Sequence, residues 1–368
     1  MKILELDTPS LLIDNKRLNA NLQYMQDYAV RHGVRLRPHT KTHKTPDIAR
    51  MQIETGACGI AVAKTSEASV MVDSGISDVF IANEIVGRTK LERIRELNKR
   101  AKVSFGADSP CQILMAEDVF AQTNQIAQIL IEIEVGEVRS GIIEKEDFLK
   151  LLHTFKSCSH VHFAGLFSHD GNSYHAEDVN ACREIAVNAQ KRTLDFARIA
   201  SEFGMPCEII SYGSTPTFMN DVPIVNGITE LRPGTYALMD ASQGHAIDTL
   251  ERCAATVLST VISKPTSSRI ILDAGAKALT MQERHDGICA TPGKGTLLDY
   301  PEVNISRMFD EHAIIEDAEF SRKVNIGDKV RIIPVHICPV CNLYDEMYLV
   351  SGDEVIRTMK ILARGKLQ

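Results

Sequence analysis

Between residues 34 and 213 the chain repeats one unit, a short apolar run followed by a longer amphipathic stretch. The apolar runs at 34–41, 59–63, 78–83, 103–107, 128–135, 161–169 and 208–213 predict strands. Between them, helical patterns occupy 46–55, 67–72, 90–99, 111–116, 145–155 and 176–203. Leu18, Leu22, Met25 and Ala29 place a further helix before the first run, and His32 and Gly33 end it. Strands apolar on both faces, alternating with helices, require a parallel sheet covered by helices. About eight such units fit a closed (β/α)8 barrel over 15–240 better than the alternative, an open doubly wound sheet.

After Asp240 the texture changes. Runs at 254–264, 269–273, 329–334, 346–350 and 354–357 are β-rich, and Pro265, Gly275, Gly327 and Gly352 punctuate them. This predicts a C-terminal antiparallel β domain over 241–368, to which the segment 1–14, with Leu11, Leu12 and Ile13, adds a strand. The 368 residues suit two such domains. Lys+Arg number 41 and Asp+Glu 48, a net charge of −7, which argues against nucleic acid as a partner. No apolar run is long enough for a membrane span, and the first residues lack a signal-peptide core. Nine scattered cysteines predict a reducing, cytoplasmic setting rather than a disulfide scaffold.

Four stretches could carry chemistry. The first is RPHTKTHK at 37–44. Lys41 lies at the carboxyl end of the first barrel strand, where barrels of this kind build their sites. A partly desolvated lysine there is a natural Schiff-base former, although the stretch also reads as a basic loop. The second is GSTPT at 213–217, where Gly213, Ser214 and Thr215 could hold a phosphate through backbone N–H groups and hydroxyls. An ordinary hydroxyl-capped turn is the competing reading. Tyr236, soon after the turn at Pro233 and Gly234, could be a second phosphate donor.

The third stretch is HICPVC at 336–341. A strand over 330–338 would project His336 and Cys338 from one face. An imidazole and a thiolate side by side suit a divalent metal, most naturally zinc. A buried thiol beside a satisfied histidine is the alternative, and Asp345 stays open as a further ligand. In the fourth, polar residues follow apolar strands at the barrel rim. His169 could stack on a flat ring, and Arg139 could reach an anionic oxygen.

Together these motifs resemble the fold-type-III pyridoxal-phosphate enzymes, the alanine-racemase-like group, and within it the D-threonine aldolase and D-serine dehydratase family. The likeness runs nearly end to end: DTP at 7–9, RPHTK at 37–41, GLFSH at 165–169, GSTPT at 213–217, RPG at 232–234, DAG at 273–275, EH at 311–312 and HIC at 336–338. The resemblance implies that Lys41 binds pyridoxal 5'-phosphate covalently and that Arg139 lies near its phenolic oxygen. His169 would pack on the pyridine ring, with Tyr174 close to the cofactor. Gly213, Ser214, Thr215 and Tyr236 would cradle the phosphate. His336 and Cys338 would hold the metal, and a homodimer would complete the site.

The resemblance also implies a reaction on a small D-3-hydroxy amino acid. Cleavage between Cα and Cβ would give glycine and an aldehyde. Loss of water, as in D-serine or D-3-hydroxyaspartate dehydratases, would give an oxo acid and ammonia. Cys338 matches the dehydratases and zinc, whereas aldolases carry an aspartate and favour harder cations such as Mn²⁺, with Mg²⁺ a further option. The stretches 339–345 and 361–365 look more like the aldolases. Retro-aldol cleavage is the favoured expectation, dehydration the alternative, and a racemase or a non-catalytic pyridoxal-phosphate carrier the more distant ones.

Overall fold

The computed structural model describes residues 1–368, and the chain divides into two compact units. One comprises residues 25–41, 48–234 and 365–368, the other residues 1–24, 42–47 and 235–364. No helix is long and apolar enough to cross a membrane.

After strand β1 (Ser10–Asp14), the chain alternates helix and strand through the first unit. The elements are α1 (Asn15–Arg31), β2 (Arg35–Leu36), α2 (Pro46–Thr55), β3 (Ile60–Val62), α3 (Thr65–Asp73), β4 (Asp78–Glu84), α4 (Arg88–Leu97), β5 (Lys102–Ala107), α5 (Pro110–Phe120), β6 (Ala127–Glu132), α6 (Lys145–Lys156), β7 (Val161–Ser168), α7 (Val179–Glu202), β8 (Ile209–Tyr212), α8 (Thr215–Met219) and β9 (Glu230–Leu231). Strands β2–β9 form one parallel sheet in the order β2-β9-β8-β7-β6-β5-β4-β3. The residues after β2 close the ring. His39 bridges Ala61 in parallel, Ala61 N–H donates to Pro38 O at 2.8 Å, and Thr40 N–H donates to Ala61 O at 2.8 Å. The fold is therefore a (β/α)8 barrel. Its first strand is shorter than the expected 34–41 because Pro38 has no N–H to give to a ladder. The eighth strand, only two residues long, escaped the periodicity argument.

The barrel interior explains where a site can form. Ala61, Phe80, Leu130, Ala164, Phe167 and Ile209 fill it. Phe80 and Phe167 meet edge to face, with centroids 5.1 Å apart. Each such ring contributes about 1.5–3 kcal/mol through burial. Gly165, at φ +141°, lets β7 and β8 approach, since a Cβ there would lie 1.9 Å from Ile209 O. The Arg232 guanidinium lies over both rings, 5.8 Å from Phe80 and 5.3 Å from Phe167.

A buried ion network ties β2, β4 and β9 together. Arg37 Nε donates to Glu230 Oε2 at 2.9 Å and its Nη1 to Asp78 Oδ1 at 2.6 Å. The Arg37 and Glu230 side chains are only 4% and 1% exposed. Burial alone would raise the Glu230 carboxyl, but the Arg37 charge and bonds from Arg37 and Ser211 outweigh it and hold it below its ordinary value. Glu230→Ala strands the guanidinium, so we expect a stability loss of about 3–5 kcal/mol in urea unfolding. A loss below about 1 kcal/mol would show that Arg37 finds other partners.

The second unit is built on β1 with β10 (Ala255–Ser263), β11 (Arg269–Leu272), β12 (Thr296–Leu297), β13 (Tyr300–Asn304), β14 (Arg307–Met308), β15 (Ala313–Glu316), β16 (Lys329–Ile333), β17 (Glu346–Ser351) and β18 (Glu354–Lys360). The main path runs β13-β12-β16-β10-β1-β17-β18, and β11, β15 and β14 branch from β10. All pairings are antiparallel except β1 with β17. Ile3, Leu6, Leu12, Leu258 and Val350 pack as a core beneath β1. One expectation is corrected here: β16 ends at Ile333 rather than continuing to 338. Pro334 cannot donate to the ladder, and Ile337–Cys341 forms a helical turn instead, with His336 as its N-cap.

Candidate active site

The barrel gathers one group of expected site residues at the carboxyl ends of its strands. Thr40 is held to β3 twice, through N–H and through Oγ1 at 3.1 Å from Ala61 O. Lys41 follows it, half-buried, and its backbone N–H donates to His39 Nδ1 at 3.3 Å. His39 is held well below the usual imidazole range, by burial and then by the charges of Lys41, Arg232 and Arg139. It is a neutral acceptor at Nδ1. The sequence reading did not single it out, although it stands inside the RPHTK motif.

His169 directly follows β7. Its Nδ1 hydrogen-bonds to Gly213 O at 2.7 Å, so Nδ1 carries the proton. Burial first, then Lys41 and Arg139, keep this ring neutral as well. Tyr174 lies beside it, with centroids 6.5 Å apart and rings tilted by 57°. Arg139 stands half-exposed on the loop after β6, 3.2 Å from Glu137 and 3.5 Å from Glu132. Arg232, which the sequence reading quoted only as part of RPG, donates to Ser211 Oγ at 2.7 Å and to Ser168 O at 2.8 Å. Three basic side chains thus converge on two neutral imidazoles.

The GSTPT stretch forms the turn from β8 into α8. Gly213 has φ +149°, and a Cβ there would meet the Phe218 ring at 2.5 Å. Ser214 Oγ lies 3.0 Å from both Ser173 Oγ and Thr217 Oγ1. Thr217 Oγ1 and Tyr212 Oη in turn donate to Asp170 Oδ2, at 2.6 and 2.7 Å. Thr215 Oγ1 is buried with no protein partner. A buried hydroxyl left unpaired costs about 1–3 kcal/mol. An anionic oxygen in the cradle would remove that cost, so these residues fit a phosphate. Asp170, Ser173 and Thr217 support the cradle from behind. Thr217 stood in the motif, and Asp170 and Ser173 stood in the polar stretch after β7 without being singled out.

The second unit holds the other group. Tyr236 is buried there, in the turn Thr235–Ala237. His336 Nδ1 meets Asp240 Oδ2 at 2.9 Å, and the same oxygen accepts from Ile337 N at 3.0 Å. Asp240 Oδ1 accepts from Ser242 Oγ and Gln243 N, both at 2.9 Å. Burial would raise this carboxyl, but its bond to His336 and the His336 charge lower it. Cys338 Sγ lies 3.2 Å from Thr42 Oγ1 and 3.5 Å from Thr235 Oγ1, and it hydrogen-bonds to His336. Burial opposes ionisation of the thiol, yet the His336 charge and hydrogen bond bring it down to about 7.

His336 and Cys338 therefore do meet, across a helical turn rather than on a strand. A carboxylate fixing Nδ1 leaves Nε2 to face a ligand, an arrangement common behind metal-bound histidines. With a readily ionised sulfur beside it, the donor set fits a divalent cation. No group of three or more His, Cys, Asp or Glu side chains is placed to hold an ion. Remaining positions on an ion bound here would fall to water or substrate, as in catalytic rather than structural sites. Asp345, left open as a ligand, is instead 84% exposed and paired with Arg364 at 3.2 Å. Cys341 is buried, and burial pushes its thiol well up.

The chain is similar to known proteins along nearly its whole length. Residues 13–242 match the family described as alanine racemase, N-terminal domain, and residues 254–350 match the putative serine dehydratase domain. The chain is 34% identical to a D-threonine aldolase of Arthrobacter sp. over 367 residues, covering 98% of this chain and 93% of the relative. It is 27% identical to the D-threo-3-hydroxyaspartate dehydratase of Delftia sp., with 98% of each chain covered. Among solved structures, the D-threonine aldolase of Filomicrobium marinum superposes with a TM-score of 0.92 at 32% identity, covering 100% of this chain and 98% of that one.

Proposed function

The chain belongs to the D-threonine aldolase and D-serine dehydratase family of alanine-racemase-like, pyridoxal-phosphate-dependent lyases, and from that premise we propose that it cleaves D-threonine-like 3-hydroxy amino acids to glycine and an aldehyde with the help of a divalent metal. One observation carries the reading. An amine at the barrel mouth, two imidazoles kept neutral and a hydroxyl-lined turn with an unpaired buried hydroxyl share one unit.

Lys41 would carry pyridoxal phosphate, with Gly213, Ser214, Thr215 and Tyr236 around its phosphate and Arg139 at its phenolic oxygen. Bound there, the cofactor supplies an electron sink for charge developing at the substrate α-carbon. His169, uncharged and oriented by Gly213 O, offers a flat face to the pyridine ring, and Tyr174 lies beside it. His336 and Cys338 would hold the divalent ion, zinc by the softness of the thiolate, with Mn²⁺ or Mg²⁺ as harder alternatives. That ion supplies Lewis acidity toward the substrate's 3-hydroxyl or carboxylate.

The protein's own part is to place protons. Loss of the 3-hydroxyl proton favours scission between Cα and Cβ. Removal of the α-proton by Lys41, with departure of the hydroxyl, favours dehydration. Higher identity to the aldolase than to the dehydratase supports the first route, and Cys338 supports the second. We further propose a homodimer working in a reducing, cytoplasmic setting, which nine free cysteines support.

The test is incubation of the cofactor- and metal-loaded enzyme with D-threonine, D-serine and D-3-hydroxyaspartate. We expect glycine and aldehyde as the main products from D-threonine. Oxo acid and ammonia as the main products would replace the aldol reading with dehydration, and simple inversion at Cα would replace both with racemisation.

A further inference from the structure

Five hydroxyl side chains, those of Ser173, Tyr212, Ser214, Thr215 and Thr217, lie in and behind the GSTPT turn, all within the barrel unit. None is more than 2% exposed. Each hydroxyl has one proton to give and lone pairs to accept with. The supply of protons therefore decides which way every bond in the cluster runs.

The direction is set at Asp170, which is buried. Its Oδ2 accepts from Thr217 Oγ1 at 2.6 Å and from Tyr212 Oη at 2.7 Å. A proton on Asp170 Oδ1, which has no partner, would leave Oδ2 accepting both. The one proton of Thr217 is thereby committed. Its 3.0 Å contact with Ser214 Oγ is then a hydrogen bond only if Ser214 donates. That commits the Ser214 proton, so the 3.0 Å contact between Ser173 and Ser214 runs from Ser173 to Ser214. Burial pushes the Asp170 carboxyl up, and the hydroxyls of Thr217, Tyr212 and Ser214 work against that. The chain from Ser173 through Ser214 and Thr217 to Asp170 leaves no proton over. Thr215 Oγ1 stands outside it, buried and without a protein partner.

We propose that Thr215 is the side-chain hydroxyl of this turn that donates to the cofactor phosphate, and that Asp170 is a positioning residue that draws the neighbouring hydroxyl protons toward itself and so withholds the Ser214 proton from that phosphate. The proposal rests on the reading that places the phosphate at this turn. Ser214 then offers the phosphate its backbone N–H, while its side chain keeps the turn in shape. The two hydroxyls therefore act in opposite ways on the cofactor-free protein. Removing an unpaired buried hydroxyl relieves it, and removing one that bonds on both sides weakens it.

Crossed effects on binding and melting test it. Thr215→Ala should weaken pyridoxal-phosphate binding at least about tenfold, while the cofactor-free enzyme melts no lower than wild type. Ser214→Ala should do the reverse, lowering the melting temperature of the cofactor-free enzyme while binding falls by no more than about threefold. Thr215→Ser, which keeps the hydroxyl, should bind within about threefold of wild type. A merely structural role would lower melting and binding together. Thr217→Val cuts the chain beside Ser214 and frees its proton, so in that background Ser214→Ala should weaken binding at least about fivefold. Asp170→Ala, one link further back, should unmask Ser214 in the same way. Wild-type binding by Thr215→Ala, equal losses in Thr215→Ala and Ser214→Ala, or a Ser214→Ala effect that stays the same in either background would each overturn the proposal. A loss confined to Ser214→Ala overturns it while leaving the phosphate at the turn. The amide resonances of Ser214 and Thr215, compared between cofactor-free and loaded wild-type enzyme, check that placement separately. No shift there overturns the reading of this turn as the phosphate site, and the inference with it.

Discussion

Lys41→Ala is expected to lower turnover by at least about three orders of magnitude and to leave no cofactor covalently attached. The backbone around the residue is held by groups the substitution does not touch. Thr40 bonds twice to Ala61 O, and the Lys41 N–H still has His39 Nδ1 to meet. The variant should therefore fold, with the circular dichroism and melting profile of the wild type. Its defect should be chemical. The nearby imidazoles of His39 and His169 and guanidiniums of Arg139 and Arg232 are not primary amines and cannot take over the Schiff base. Borohydride treatment of the loaded wild type should fix the cofactor to the peptide containing Lys41, and the variant should show no labelled peptide. A label retained on another lysine would refute the assignment.

Cys338→Ala should lower bound metal and activity together, with metal affinity falling at least about a hundredfold. Loss of a ligand should exceed the roughly 10–100-fold cost of disturbing the groups behind one. The sulfur is one of the two ligands proposed for the ion, with His336 the other. The removal leaves Asp240 and its bonds to His336, Ile337, Ser242 and Gln243 in place, and the turn around it should persist. Metal content by plasma mass spectrometry and product formation should fall in parallel. Full activity from metal-free enzyme would end the metal part of the proposal.

The barrel was legible because burial writes itself into composition. The run QILIEIEV at 128–135 alternates too little to have a wet face, and β6 is covered on both sides. Glu230–Leu231 was not legible. Two residues make no period, and a glutamate argues for solvent unless Arg37 and Ser211 are known to meet it. His336 and Cys338 were chosen on residue type, and that choice brought together two groups that do touch. The reason given for it, strand alternation, was wrong, because Pro334 ends the ladder and a helical turn places them instead.

The groups that set the chemistry's conditions left no local trace. Asp240 lies 96 residues before the histidine it fixes, and Asp170 lies 47 before the threonine that donates to it. Glu84 and Glu132 sit on different strands, and the charge of one bears on the other only when β4, β5 and β6 align.

The order of apolar runs and helices was enough to determine the barrel, the β-rich unit that follows it and the residue types available for catalysis, because side-chain periodicity and turn chemistry act over a few neighbours. Tertiary structure alone decided which side chains meet and which of them hold a proton. Both depend on pairs far apart in the chain being brought together and stripped of water, and that environment exists only once the chain has folded.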